Sequence, residues 1–534
     1  MPDAIVLAGL SGSGKSSVAA ATARQLGRPL VDVDAEIERS EGAHPSVLIR
    51  DRGEPAFRAL EAAAVERACR VAGAVIACGG GAVIDPLSRW ALWDAGTVLW
   101  LDAPDEVLLA RLAGHAEERP MLDGDAARRM AELRTRREPF YRAADRQVDA
   151  SGPYDDVVSA VVRAAGEGRP VSRRLFDAQV RRDHPMGPPT ARVVLGRDLD
   201  GAVMADILAP VSSGNPVVVA DRRPATLLPD LMASLPAGRH LTVRAGERHK
   251  RLRAVERLLE AASAMGAERG DAWIAVGGGT TTDLVGAAAA LYLRGVPLVA
   301  LPTTWLAMTD AAIGGKVGVD LSAAKNAAGA FWPPVAICAD VAALRTLTRP
   351  RRLDGMAESL KSGLIGDPAL WQLVATRGRA ALGGDEAARF AIIDRSVQLK
   401  LGVVARDPFE QGERRSLNLG HTLGHALEVE SGYRLPHGQA VVLGLRAAAA
   451  IARGRGAEPR LADEIDGVVR HLGYRLHRSF DAATVRRAMG SDKKRHLGRQ
   501  RWILPIAVGS VSEADDISDA ELETALRTIS AESA

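Results

Sequence analysis

The first 27 residues constrain this chain more than any other stretch. Five apolar residues, Ala4 to Ala8, run straight into Gly9-Leu10-Ser11-Gly12-Ser13-Gly14-Lys15-Ser16, and a helical pattern follows from Ser17 to Gly27. The pattern G-x-x-x-x-G-K-[ST] between a strand and a helix commits the N-terminus to an α/β fold with a phosphate-binding turn. Its glycines let backbone N–H groups curl around phosphates. Lys15 reaches the β and γ phosphates, and the Ser16 hydroxyl is a ligand for Mg²⁺.

One such motif cannot organise 534 residues, which exceed what a single hydrophobic core supports, so several domains are expected. A hydrophobic content of 47% with 25% charged residues excludes wholesale disorder. The start at Met1 shows no basic n-region or cleavage site, and no apolar run reaches membrane-spanning length, so a cytoplasmic protein with no membrane partner is expected. The net charge of +3 gives no reason to expect nucleic acid. Cys69, Cys78 and Cys338 are too few and too scattered for a disulfide framework or a thiolate metal site.

The cations are distributed unevenly. Of 69 basic residues only eight are lysine: Lys15, Lys250, Lys316, Lys325, Lys361, Lys400, Lys493 and Lys494. Where Arg serves almost everywhere, each remaining Lys marks a place that needs a compact, rotatable ammonium. All eight fall in the motifs described here.

Within the first 165 residues, Val31 to Asp34 reads as a second strand ending in carboxylates. Gly53-Glu54-Pro55-Ala56-Phe57-Arg58 opens a helix carrying Glu61, and the strand Val75 to Cys78 runs into Gly79-Gly80-Gly81. Arg119-Pro120-Met121-Leu122 lies in a polar stretch of lid character, and Arg137 precedes Tyr141 by one helical turn. In this order the features resemble shikimate kinase, with Met121 and Ser17 as mild departures from the family's Leu and Thr. The resemblance implies a five-stranded parallel sheet and transfer of phosphate from ATP to the 3-hydroxyl of shikimate. It places Gly12, Ser13, Gly14, Lys15, Ser16, Ser17 and Arg119 at ATP, with Mg²⁺ on Ser16. Asp34, Arg58, Gly80 and Arg137 would hold shikimate, and Lys15, Asp34 and Arg119 would be catalytic. Bidentate arginine suits a planar carboxylate, and a lid arginine suits the charge spread of phosphoryl transfer.

Residues 166–189 hold five arginines, three glycines and four prolines without apolar periodicity, and read as a linker. From residue 190 to about 345, short strands alternate with helices, which implies a Rossmann-like parallel sheet. Gly277-Gly278-Gly279 follows one strand and opens a helix beyond Asp283, a turn that sets a pyrophosphate on a helix N-terminus. Pro302-Thr303-Thr304 ends the next strand. From 346 to 534 helical patterns dominate, implying an all-α domain. There Glu358 and Lys361 stand at i and i+3, and His421 and His425 at i and i+4, with His437 beyond. Two imidazoles one turn apart, a carboxylate and a third His could supply three ligands to a divalent metal, or could serve core packing.

Residues 190 to about 510 resemble 3-dehydroquinate synthase through G-E-x-x-K, G-G-G, P-T-T, G-G-K, K-N, G-x-A-E-x-x-K, R-x-x-L-N-x-G-H-x-x-G-H, H-G-x-A-V and D-K-K. One departure is Thr280-Thr281-Thr282, where the family has Val-Val-Gly. The resemblance implies conversion of 3-deoxy-arabino-heptulosonate 7-phosphate into 3-dehydroquinate and phosphate with catalytic NAD⁺, and it admits a homodimer through the C-terminal region. Glu358, His421 and His437 would hold Zn²⁺ or Co²⁺, and His425 would relay a proton. Asp221, Gly246, Glu247, Lys250, Gly278, Gly279, Asp283, Thr303, Thr304, Lys316, Lys325 and Thr346 would contact NAD⁺. Arg294, Asp310, Asn326, Lys361, Lys400, Arg414, Asn418, Lys493 and Lys494 would surround the substrate, with Lys316, Lys361 and His425 catalytic. The rival reading is a gluconate-type kinase fused to another sugar phosphate cyclase.

Overall fold

The computed structural model describes residues 3–113, 125–182, 184, 188–212, 215–244, 246–321, 325–490, 495–496 and 499–531. They form two compact units: Met1–Gln179 with Arg192–Asp200, and Val180–Ala191 with Gly201–Ala534.

In the first unit, β1 (Ala4–Ala8), β2 (Leu30–Asp32), β3 (Val75–Ala77), β4 (Gly96–Asp102) and β5 (Arg146–Asp149) form a sheet in the order β2-β3-β1-β4-β5. Every pairing is parallel. All five residues of β1 are buried, which is why the strand reads as a continuous apolar run instead of an alternating one. Strand order reverses across β1, so the loop leaving it opens at the switch point where such sheets bind ligands. Helix α1 (Lys15–Leu26) follows that loop.

Two expectations are corrected here. The second strand stops at Asp32, whose side chain accepts from Ala35 N at 3.1 Å and caps α2 (Val33–Glu41). Asp34 therefore sits in the first turn of a helix, not at a strand end. The stretch 166–189 is more than a connector. Past α3 (Glu54–Cys69) and α4 (Ala126–Tyr141), helix α5 (Tyr154–Gly166) is followed by β6 (Arg173–Arg181) and its neighbour β7 (Thr190–Arg197). Arg173 is a core cation: its Nη1 donates to both oxygens of Asp145, at 2.9 and 2.7 Å, with the two side chains 1% and 4% exposed. Burial lowers the Arg173 pKa and raises that of Asp145, so each ion depends on the other.

In the second unit, β8 (Val217–Asp221), β9 (Arg239–Val243), β10 (Trp273–Gly277), β11 (Leu298–Pro302) and β14 (Ala336–Asp340) run parallel in the order β14-β11-β10-β8-β9. Between β11 and β14 lies an antiparallel hairpin of β12 (Lys316–Val319) and β13 (Ala328–Phe331). Helix α6 (Gly279–Leu291) leaves β10. The later region is built from α7 (Arg349–Gly366), α8 (Glu386–Arg406), α9 (His421–Glu430) and α10 (His437–Gly454), among other helices. α7 is buried on every face from Gly355 to Ile365, which marks it as the centre of that bundle. The region is not purely helical, because Trp502–Ala507 and Ser510–Ala514 pair as an antiparallel hairpin.

Arg173→Ala leaves the Asp145 carboxylate buried and unpaired, so the first unit should lose about 3–5 kcal/mol of stability. Urea unfolding followed by the fluorescence of the full chain measures it.

Candidate active sites

In the first unit the phosphate loop is shaped by glycine. Gly12 has φ 86, and a Cβ there would lie 2.8 Å from Leu108 O. Gly14, with φ 85, caps α1, so the helix N-terminus and its free N–H groups face the loop. The Lys15 Nζ donates to Leu10 O at 3.0 Å, which folds the ammonium back over the turn. A cavity of about 880 Å³ opens from this loop, and Gly12, Ser13, Gly14, Lys15, Ser16, Ser17, Asp34, Arg58, Gly80 and Arg137 all line it. Arg119 lies outside the described residues.

Each glycine of the triplet after β3 makes room for one of these side chains. A Cβ on Gly79 would sit 2.5 Å from Glu61 Oε1 and 2.7 Å from Asp34 Oδ1; one on Gly80 would press on Arg137 Nη1 at 3.1 Å; one on Gly81 would strike the Arg58 guanidinium. Arg58 is aimed by two carboxylates of its own helix, donating to Glu61 Oε2 at 2.5 Å and Glu54 Oε1 at 2.9 Å. Burial raises the Glu61 pKa, with Arg58 pulling the other way. Tyr141, pushed up to about 12 by burial, stays a donor and gives its hydroxyl to Gly80 O at 2.5 Å. Glu61 was visible in sequence at i+3 from Arg58; its anchoring role was not foreseen.

In the second unit the parallel register sets Gly277 beside Pro302, so the glycine turn and Thr303-Thr304 share one sheet edge. Thr303 N donates to Gly277 O at 2.9 Å, and a Cβ on Gly278 would meet Thr304 at 3.1 Å. Asp221 ends β8 at the same edge, and Gly246 and Glu247 follow β9. The threonines that replace the family's Val-Val-Gly are absorbed inside α6, where Thr282 Oγ1 donates to Gly279 O at 3.0 Å and Thr280 Oγ1 accepts from Gly246 N at 3.1 Å. Thr346 spends its hydroxyl on Ala343 O in the turn after β14.

The lysines then fall into place. Lys250 Nζ reaches Asp283 Oδ2 and Asn326 Oδ1, each at 2.5 Å. Lys400 Nζ reaches Asp310 Oδ1 at 2.5 Å, on a π-helical turn of Ala307–Ala311, the kind of irregularity that collects at functional sites. Lys361 pairs with Glu358 one turn away on α7. Lys316 Nζ meets Glu410 Oε2 at 2.5 Å, and Asn418 Nδ2 donates to Glu410 Oε1 at 2.9 Å. Arg414 is buried, donating to Gly314 O at 2.9 Å and to Pro408 O. Arg294 stands exposed at φ 66 and enters none of these pairs. Lys493 and Lys494 lie outside the described residues. Glu410 was missed in sequence because it sits in a loop at φ 58, where no spacing pattern points to it.

Glu358, His421 and His437 offer ligand atoms that all lie within 4.8 Å of one another. His437 Nε2 is 3.1 Å and His421 Nε2 3.5 Å from Glu358 Oε1. The other nitrogens face acceptors, His421 Nδ1 at 3.1 Å from Leu419 O and His437 Nδ1 at 3.4 Å from Glu428 Oε1. Burial pulls the His437 pKa down, but Glu358 and Glu428 on its two ring nitrogens raise it to about 10, so without a metal this imidazole holds a proton on each side. Glu358 Oε2 touches Lys361 without hydrogen-bond geometry. A divalent cation would take the place of the proton facing Glu358, with Glu358, His421 and His437 to hold it, so the set fits a metal. His425, edge-on to His421 with ring centroids 5.1 Å apart, is not in the triad. Glu428, seven residues after His421 on the same helix face, was not singled out from sequence.

Comparison with known proteins divides along the same lines. Residues 11–165 match the shikimate kinase family, residues 240–353 the 3-dehydroquinate synthase N-terminal family, and residues 355–495 the corresponding C-terminal family. The 3-dehydroquinate synthase of Xanthomonas campestris pv. campestris is 40% identical over 289 residues, covering 52% of this chain and 78% of that protein. The 2-epi-valiolone synthase of Actinosynnema mirum is 35% identical over 349 residues, covering 62% and 89%. Among solved structures, ValA, a 2-epi-5-epi-valiolone synthase from Streptomyces hygroscopicus subsp. jinggangensis with NAD⁺ and Zn²⁺ bound, is 29% identical with a TM-score of 0.59, covering 65% of this chain and 98% of that one.

Two outcomes follow. His437→Ala and Glu358→Gln should weaken Zn²⁺ binding by about 100-fold or more, beyond the loss typical of an outer partner, while His425→Ala keeps the ion; competition against a chromophoric chelator reads all three. Burial pushes the Asp283 carboxyl up to about 6 although Lys250 pulls it down. An unfolded aspartate titrates near 3.9. The folded state is therefore favoured by this group at low pH, and that contribution is lost as pH rises from ~4 through about 6. The unfolding free energy of the wild type minus that of Asp283→Asn should fall across this window.

Proposed function

We propose a function from one premise: through residues 240–495 the chain belongs to the 3-dehydroquinate synthase family, and ahead of that region it carries a shikimate kinase domain. It is a bifunctional enzyme of the shikimate pathway. The N-terminal part phosphorylates the 3-hydroxyl of shikimate with ATP and Mg²⁺. The C-terminal part converts 3-deoxy-D-arabino-heptulosonate 7-phosphate into 3-dehydroquinate and phosphate with catalytic NAD⁺ and Zn²⁺ or Co²⁺. The observation that carries the kinase reading is a single cavity lined by both the phosphate loop and Asp34, Arg58 and Arg137.

In that cavity Lys15 and the loop N–H groups would neutralise the transferred phosphate, and Asp34 would orient the attacking hydroxyl. Arg58, held by Glu54 and Glu61, has the fixed fork that a substrate carboxylate accepts with Arg137. In the second unit, bound NAD⁺ would take and return a hydride while the divalent ion polarises the alcohol undergoing oxidation. The chain's own part is to place the substrate. Asn326, Lys361, Lys400, Arg414 and Asn418 would hold its phosphate and carboxylate, with Arg294, Lys493 and Lys494 completing the set; Lys316 would stand beside NAD⁺, and His425 would move a proton. The carboxylates now paired with these cations, Asp310 and Glu410 among them, hold the ammonium groups in place until substrate arrives. We place both reactions in the cytoplasm, with small molecules as the partners and a homodimer through the C-terminal region as the assembly to test.

The full chain should form shikimate 3-phosphate and 3-dehydroquinate, resolved by chromatography, without net accumulation of NADH. Lys15→Met should abolish the first product and spare the second, and Glu358→Gln should do the reverse. A valiolone-type cyclitol in place of dehydroquinate, or phosphorylation of gluconate in preference to shikimate, would overturn the reading.

A further inference from the structure

Glu428 has no place in the chemistry above, yet its carboxylate is buried and makes two contacts through one oxygen. Oε1 lies 3.4 Å from His437 Nδ1 and 3.6 Å from Lys325 Nζ. The Lys325 ammonium is in turn 3.6 Å from Glu247 Oε1, in the turn after β9, and 4.7 Å above the Tyr433 ring. A continuous chain of charged groups thus runs from the sheet edge to the triad: Glu247, Lys325, Glu428, His437, Glu358. The first member belongs to the dinucleotide edge and the last two to the metal centre. At 3.6 Å both lysine contacts are looser than hydrogen bonds, so one ammonium is shared between two carboxylates and fixed by neither.

We infer that Glu428 is a positioning residue for His437, and that Lys325, shared between Glu428 and Glu247, couples dinucleotide binding to metal binding. The inference rests on the functional reading above, which assigns Glu247 to NAD⁺ and His437 to the metal. A carboxylate on the Nδ1 side of a ligating imidazole fixes its tautomer and ring angle and raises its basicity. Dinucleotide hydroxyls that occupy Glu247 release Lys325 toward Glu428 and immobilise that carboxylate, which holds the His437 ring in the orientation the ion needs. By linkage the effect is reciprocal.

The test is the dissociation constant of Zn²⁺ for the full chain, by chelator competition, without and with saturating NAD⁺. In the wild type NAD⁺ should tighten Zn²⁺ by about fivefold or more, and Zn²⁺ should tighten NAD⁺ equally. Glu428→Gln should weaken Zn²⁺ by about 10- to 100-fold and abolish the response to NAD⁺. Lys325→Met removes the shared ammonium while keeping the Glu428 carboxylate beside His437; because Lys325 is also set beside NAD⁺, saturation with NAD⁺ is first established by titration, and at saturation the variant's Zn²⁺ affinity should be no tighter than its own value without NAD⁺. It serves where Glu428→Gln does not fold, as judged by circular dichroism. Wild-type affinity in Glu428→Gln, or NAD⁺ tightening that survives in Lys325→Met, overturns the inference while leaving the enzyme assignment standing. A wild-type chain that binds neither Zn²⁺ nor NAD⁺ removes the assignment itself.

Discussion

Taking a charged side chain out of water costs several kcal/mol, and most of the second unit's site is arranged around that cost. Lys250, Lys361 and Lys400 are buried, and each has a carboxylate against it. The six lysines that the structure describes all sit in the two sites, five of them in the second unit. An ammonium can rotate its three donors and be shared among neighbours, whereas a guanidinium is committed to a planar fork. That difference explains why a chain with 61 arginines keeps lysine here. The first unit makes the complementary choice, with Arg58 and Arg137 lining its cavity.

Both sites use the same construction: the secondary structure brings functional groups to a crowded edge, and small residues leave space for them. The triplet after β3 admits four different side chains, Glu61, Asp34, Arg137 and Arg58, along three consecutive residues. In the second unit Gly278 lets Thr304 approach, and Gly314 leaves room for Arg414. Added methyl groups at these places would displace functional atoms before they disturbed the core.

Much of this was legible in sequence, and the exceptions have physical causes. The strand, glycine loop and helix at the N-terminus are local, so their order survives in one dimension. Helical spacing pairs His421 with His425 and Glu358 with Lys361; the resemblance names Glu358, His421 and His437 instead, and the fold brings the ligand atoms of that trio together. Asp34 was misplaced because Asp32, an effective helix cap, ends the strand two residues earlier than its apolar pattern suggests. Glu428 and Glu410 escaped notice because their partners are remote in sequence or lie on an irregular loop. The arginine-rich stretch 166–189 was misread because a count of arginines cannot distinguish a solvated guanidinium from one paired in the core.

That last feature bears on how the two enzymes can be parted. A cut at the compositional boundary, near residue 166, would separate Arg173 from Asp145 and leave that buried carboxylate without its cation, still accepting from Val98 N. The first unit runs through Gln179 and takes back Arg192–Asp200, where Arg192 pairs with Asp177. Gene dissection, or a protease acting on this stretch, therefore meets a strand in place of a loose tether: whichever fragment keeps β6 keeps the cation that pairs with Asp145.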